Sequence, residues 1–223
     1  MSREKVIKKL TDGGHPTDEA EKITDELYMW AGLVTDHLQD QLKIRKSYLE
    51  YRNKYQPEDI RTIFVLESPP KSGKYFYNNE GDISEPLFKA MMKLIGFEPR
   101  DKESGLREFK KRGLIIVDAV YSPINYPENK QKWRDEKILE WYSMLVKDLK
   151  YLVGEKNTPL ILVKANVCRL LEDKLKKDGF SVLNNGVVIP FPSTGQQNKF
   201  TEKIAGVLAK ANKHERDKNR KTS

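Results

Sequence analysis

Cysteine is almost missing from this chain: Cys168 is the only one among 223 residues. That excludes an internal disulfide and any four-cysteine metal or iron–sulfur site, and fits a reducing cytoplasm. Cys168 lies in Ala165-Asn166-Val167-Cys168-Arg169-Leu170-Leu171, an amphipathic helical pattern in which a small buried hydrophobe is at home. Histidine is scarce too. The three present, His15, His37 and His214, sit at no predicted strand end, which leaves imidazole chemistry without a platform. No apolar run approaches the roughly 18 residues a membrane-spanning helix needs. An apolar leader after Met1-Ser2-Arg3-Glu4-Lys5 is lacking, so a cytoplasmic rather than a secreted protein is expected. No cofactor, metal ion or membrane enters the expectation, and a monomer does.

What is present in excess is charge. Charged residues make up 33% of the chain against 38% hydrophobic, with a net charge of +8, a balance that suits a polyanionic partner such as DNA. Six basic and two acidic residues fall between Lys210 and Ser223, so +4 of that charge belongs to the C-terminal end. A segment of this kind is also compatible with simple solvation and disorder.

The length favours one well-buried domain. Residues 16–53 carry Ile23, Leu27, Trp30, Leu33, Leu38, Leu42 and Leu49 near helical spacing, with Thr17 or Asp18 as a cap and Gly32 as a candidate break. Beyond Pro57, short apolar runs alternate with amphipathic stretches. Strands are predicted at 62–66, 114–118, 160–163, 180–183 and 187–190, and helices at 85–95, 134–153, 165–177 and 199–211. Alternation of this kind predicts a parallel sheet covered on both faces. The organisation expected is an N-terminal helical segment over 1–57, an α/β domain over 58–211 and a basic disordered tail over 212–223.

Three strand ends carry polar cargo. Ile63-Phe64-Val65-Leu66 stops at Glu67-Ser68-Pro69-Pro70, followed by Ser72-Gly73-Lys74-Tyr75-Phe76-Tyr77. Leu114-Ile115-Ile116-Val117 stops at Asp118, and Val187-Val188-Ile189-Pro190 runs into Phe191-Pro192-Ser193-Thr194-Gly195. In open α/β sheets such ends meet the ligand crevice. The Ser72-Gly73-Lys74 segment is not a phosphate-binding P-loop, because that motif needs a glycine where Ser68 stands and Ser or Thr where Tyr75 stands.

In order and spacing the three segments resemble the motifs of the uracil-DNA glycosylase superfamily, over about Ile63 to Phe200. The resemblance implies a three-layer α/β/α fold with a central, mostly parallel four-stranded sheet, and a DNA glycosylase that hydrolyses the N-glycosidic bond of a flipped base. It implies catalytic roles for Glu67, with Asp118 in reserve; a base pocket of Ser68, Phe76, Asp118 and Phe191; and DNA contacts from Ser72, Lys74, Ser193, Thr194, Gln196 and Lys199. Members act in DNA repair or in defence against modified phage DNA. The chain departs from the pattern in three places. Ser68 stands where a water-activating acid can precede the proline, Asp118 replaces the asparagine that reads the base, and Phe191 replaces the histidine. A single cysteine also separates it from the branch that carries an iron–sulfur cluster.

Each candidate has a plainer reading beside the functional one. Glu67 either positions the attacking water or accepts backbone N–H groups from its loop. Phe76 either stacks on the flipped base or packs with Tyr75 and Tyr77 as a lid. An ionised Asp118 only accepts hydrogen bonds, which suits cytosine or a modified cytosine and repels uracil O4; as a structural residue it caps the next turn. The segment after Ser193 has no bulky apolar wedge, which leaves Tyr121 to Tyr126 for that task. Two rival functions stand: a binding module on the same fold without catalysis, and an unrelated α/β hydrolase using Glu67 and Asp118 as a carboxylate pair, one of them with a raised pKa.

Overall fold

The computed structural model describes residues 2–125, 130–154 and 157–221. They form two compact units that divide between Ser47 and Tyr48. The first contains α1 (Arg3–Asp12) and most of α2 (Thr17–Lys54), a helix that runs unbroken through Gly32. Within it Ala20 and Thr24 are buried, and the Thr24 hydroxyl donates to the Ala20 carbonyl at 2.7 Å.

The second unit is α/β and holds three regular strands among the described residues: β1 (Thr62–Leu66), β2 (Leu114–Asp118) and β3 (Leu160–Leu162), in the order β2-β1-β3. All pairings are parallel. Thr62 faces Leu114 and Leu66 faces Asp118 on one side, while Ile63 faces Leu160 and Val65 faces Leu162 on the other. Every residue of β1 is buried, which is why its sequence, Thr-Ile-Phe-Val-Leu, is a continuous apolar run and not an alternating one. Around the strands stand α3 (Pro86–Leu94), α4 (Lys102–Lys111), α5 (Gln131–Glu140), α6 (Tyr142–Val153), α7 (Ala165–Lys177) and α8 (Gln197–Lys221).

The predicted fourth strand at 187–190 is not a strand. The cause lies in Asn184, whose side chain is 1% exposed. Its amide oxygen accepts from the Leu162 N–H at 2.7 Å and its amide nitrogen donates to the Leu162 carbonyl at 3.0 Å. A primary amide thus occupies the place that a peptide group of a neighbouring strand would take. Asn185 and Gly186 follow with positive φ of 46° and 80° and turn the chain. What remains of pairing on this side is a single parallel bridge from Leu160 to Val182, then the Ile189 carbonyl, which accepts from the Lys164 N–H at 2.8 Å.

Other boundaries also moved. The helix expected over 134–153 is two helices, α5 and α6, with Trp141 between them. Helix α8 runs to Lys221 and takes in the backbone of 212–221. Helix α4 is an addition: Asp101 caps it by accepting from the Ser104 N–H at 2.7 Å while Ser104 Oγ accepts from the Asp101 N–H. Gly105 lets this helix approach α3 closely, since a Cβ there would sit 2.4 Å from the Phe88 ring.

Candidate functional site

Sheet order β2-β1-β3 places the topological switch point between β1 and β3, and the crevice beyond the carboxyl ends of the strands is where such sheets bind ligands. A cavity of about 510 Å³ lies there, within the usual size range of small-molecule pockets. Each strand delivers one ionisable side chain to it: Glu67 after β1, Asp118 at the end of β2 and Lys164 just past β3.

Most of the predicted site residues meet in this cavity. Glu67, Ser68, Ser72, Lys74, Phe76, Asp118, Phe191 and Ser193 all line it. Thr194, Gln196 and Lys199 do not; they lie on the turn into α8 and along its first residues, with Thr194 and Lys199 exposed. Tyr121 is 4% exposed and therefore cannot serve as a DNA wedge, a correction to the expectation for that segment. Tyr126, the other end of it, lies outside the described residues.

Glu67 is 4% exposed and held from two sides. Lys164 Nζ forms an ion pair with Oε2, and Asn166 Nδ2 donates to Oε1 at 2.6 Å. A carboxylate has about four acceptor positions, so these bonds leave room for a further donor such as water. Sequence reasoning chose Glu67 but missed both partners. The rule that found Glu67 would have found them, because Lys164-Ala165-Asn166 follows a predicted strand as Glu67-Ser68 does.

Asp118 is as buried as Glu67, at 3% exposed, yet its Oδ2 has no hydrogen-bond partner. The cation that acts on it is already committed. Arg52, itself 2% exposed, grips Asp148 with two nitrogens at 2.6 and 3.1 Å and donates to the Tyr121 hydroxyl at 2.8 Å. Burial pushes the Asp118 carboxyl up to about 8, with Glu67 adding to the rise and Arg52 opposing it. At pH 7 Asp118 is therefore mainly a neutral carboxylic acid, which donates one hydrogen bond and accepts others. The sequence pointed to an acceptor-only carboxylate; a protonated Asp118 can face a carbonyl oxygen as readily as an amino group.

Unpaired polar atoms gather at the same place. Ser68 Oγ is buried without a partner, and the Tyr75 hydroxyl and Asp118 Oδ2, which make no hydrogen bond of normal geometry, act on each other at close range; all three belong to cavity-lining residues. Burial, with Asp118 as the next cause, holds the Tyr75 hydroxyl well above its ordinary range, so it keeps its proton. Buried polar groups are rarely left unsatisfied, and three together on one cavity wall suit a ligand that supplies several donors and acceptors.

The loop from Glu67 to Glu85 covers this wall without regular structure and is fastened from beneath. Gly73, at φ 73°, makes the turn that carries the chain back, and Tyr75, Phe76 and Tyr77 are all buried. The Phe76 ring packs at 5.1 Å on Phe109 and 5.7 Å on Phe88, and the Tyr77 hydroxyl accepts from the Ile116 N–H at 2.7 Å. Lys102, 1% exposed, ties the far end by donating to the Tyr75 carbonyl and to Glu85 at 2.8 and 2.7 Å. The aromatic triplet is thus part of the core as well as of the cavity wall, and Phe76 has only its cavity side to offer a ligand.

Among the described residues no group of three or more His, Cys, Asp or Glu is placed to hold a metal ion, and no helix is long and apolar enough to cross a membrane. No protein-family model, no curated protein and no solved structure matches this chain.

Proposed function

We propose that this protein is a DNA glycosylase on a uracil-DNA glycosylase-like fold, hydrolysing the bond between a flipped base and its sugar. The observation that carries the reading is the pair of carboxyl groups in one cavity, Glu67 engaged with the Lys164 ammonium and Asp118 holding its proton at neutral pH. Breaking an N-glycosidic bond leaves positive character on the sugar and negative character on the base. A carboxylate stabilises the first and positions the attacking water, while a neutral acid hydrogen-bonds to the second. A carboxyl group held protonated by burial beside one engaged with a cation is suited to this division of work.

Recognition of the base falls to the flat ring of Phe76, to Phe191 at the cavity rim, and to the unpaired Ser68, Tyr75 and Asp118 groups. Because Asp118 donates as well as accepts, the pocket takes a base edge bearing a carbonyl, as in uracil, or an amine, as in cytosine and its modified forms. Ser72, Lys74 and Ser193, exposed residues of the cavity lining, would make the phosphate contacts. Either repair or defence against modified phage DNA would use such an enzyme.

The test is base release from oligonucleotides carrying uracil, cytosine, hydroxymethylcytosine or its glucosylated form, read as abasic-site cleavage. Release from at least one substrate, reduced by about 10²–10⁴-fold in Glu67→Gln, is the expected result. Tight binding without release from any of them would favour a binding module instead, the reading to which the exchange of the family's histidine for Phe191 points.

A further inference from the structure

Among the described residues two lysines line the cavity, Lys74 on its exposed loop and Lys164 just past β3. Lys164 stands out by its backbone. Its φ of 85° and ψ of 138° lie in a region that side-chain-bearing residues rarely adopt, and strain of this kind persists only where the surroundings enforce it. The Lys164 N–H is tied to the carbonyl of Ile189, in the segment that leads to Phe191, at 2.8 Å, and its own carbonyl accepts from the Cys168 N–H at 3.0 Å as α7 begins. The half-buried side chain reaches the cavity, where its ammonium pairs with Oε2 of Glu67. That pair occupies one of the three N–H donors an ammonium carries, and Asn166 serves the other Glu67 oxygen. Two donors of a fixed cation are thus left over at the cavity wall. In the order β2-β1-β3 the groups Asp118, Glu67 and Lys164 stand side by side, so a flat ring that meets Asp118 along one edge presents another edge toward Lys164.

From this geometry we propose that Lys164 is a cationic hydrogen-bond donor to the departing base, acting on the ring oxygen where negative charge collects. That the anion is a departing base rests on the glycosylase reading; the cationic subsite for an acidic pyrimidine does not. As the glycosidic bond breaks, its electron pair passes to the base nitrogen and spreads onto the neighbouring ring oxygen, which uracil and cytosine share. Water forms the new bond to the sugar carbon and gives a proton to Glu67, and solvent carries that proton on to the released base. Lys164 keeps its own protons throughout. Its hydrogen bond strengthens as charge grows on the oxygen, so the contact is worth more in the transition state than before it. The apolar ring of Phe191, which stands where the resembling family has a histidine, gives an anion no such help. Lys164 reaches the same region from the β3 side, through its bond to Ile189. Pairing with Glu67 belongs to the arrangement, because an unpaired carboxylate would oppose an anion forming close by.

The experiment uses the full chain and two free bases, neutral uracil and 5-nitrouracil, which is an anion at neutral pH, with Kd read by calorimetry. Wild type should bind the anion at least about tenfold more tightly, the scale of a hydrogen bond to a charged group. Lys164→Met should lose that preference and Lys164→Arg, which keeps a cation beside Glu67, should retain most of it. No preference in wild type, or a preference that persists in a folded Lys164→Met protein, overturns the inference. Should Lys164→Met fail to fold, wild type labelled at the lysine Cε carbons decides: 5-nitrouracil must move the Lys164 resonance, identified by its absence from Lys164→Arg, and an unmoved resonance sinks the proposal. Base release from oligonucleotides is assayed separately, and there Lys164→Met should lose about 10²–10³-fold. Release by wild type without anion preference would remove this role and leave the glycosylase, while anion preference without release from any substrate would do the reverse.

Discussion

Glu67 and Asp118 end adjacent strands, are equally buried and line one cavity, yet their surroundings differ in kind. Glu67 receives an ammonium and an amide from the Lys164–Asn166 segment. Asp118 Oδ2 has no hydrogen bond of normal geometry, only the Tyr75 hydroxyl acting on it, while Arg52, the cation acting on it, is bound in a two-pronged grip to Asp148. Two carboxyl groups of similar burial are thereby set to different chemistry by where the partners are spent. A buried charge without a partner costs more than folding tolerates, and the group responds by keeping its proton.

The largest test of that contrast is Asp118→Asn. The folded-state pKa lies above the unfolded value of about 3.9, so this group's contribution to stability is fully present below that pH and is lost as pH rises through about 8. Asparagine does not titrate. The variant should therefore gain stability relative to wild type as pH climbs from 4 to 8, by on the order of 5 kcal/mol across the window, measured by urea unfolding at several pH values. A difference that stays constant with pH would mean that Asp118 is not held protonated.

Glu67→Gln breaks the other half. It keeps the shape and the contact to Asn166 but removes the charge beside Lys164, and base release should fall by about 10²–10⁴-fold with the protein still folded by circular dichroism. A change below tenfold would reassign Glu67 to holding Lys164 and α7 in place.

Asp148→Asn sharpens the comparison from behind the site. With Asp148 neutral, Arg52 acts on Asp118 uncompensated, and the Asp118 pKa should drop by about one unit or more, shifting the alkaline limb of activity downward. Carboxyl-carbon NMR titration of Asp118 reads the shift directly. An unmoved titration would separate the two sites electrostatically.

The smallest effect concerns the backbone that presents Lys164. Lys164→Ala and Lys164→Gly both remove the amine, so their difference reports the conformation alone. Glycine should be the more stable of the two by about 1 kcal/mol, the reverse of the order in an ordinary helix or strand. Thermal unfolding of the pair checks it.

Much of the site was legible because the ends of buried parallel strands announce themselves: an apolar run that stops at a charged residue locates Glu67 and Asp118. The same signal at 160–163 pointed to Lys164 and was passed over for 187–190, whose apolar residues also read as a strand. Nothing local distinguishes the two runs. The difference lies in Asn184, twenty-two residues from the Leu162 groups it satisfies, and a side chain that replaces a strand can be recognised only once both are in place.

By itself, then, the sequence determined an α/β unit with parallel strands, the two carboxyl groups at their ends and the aromatic triplet beside them, since hydrophobic periodicity and strand length are local properties. The tertiary structure alone decided the surroundings of those groups. Whether Arg52 neutralises Asp118 or Asp148, and whether Lys164 reaches Glu67, depends on distances between residues 66 to 97 positions apart. Electrostatic energy follows those distances and the burial around them, neither of which is written in the order of the residues.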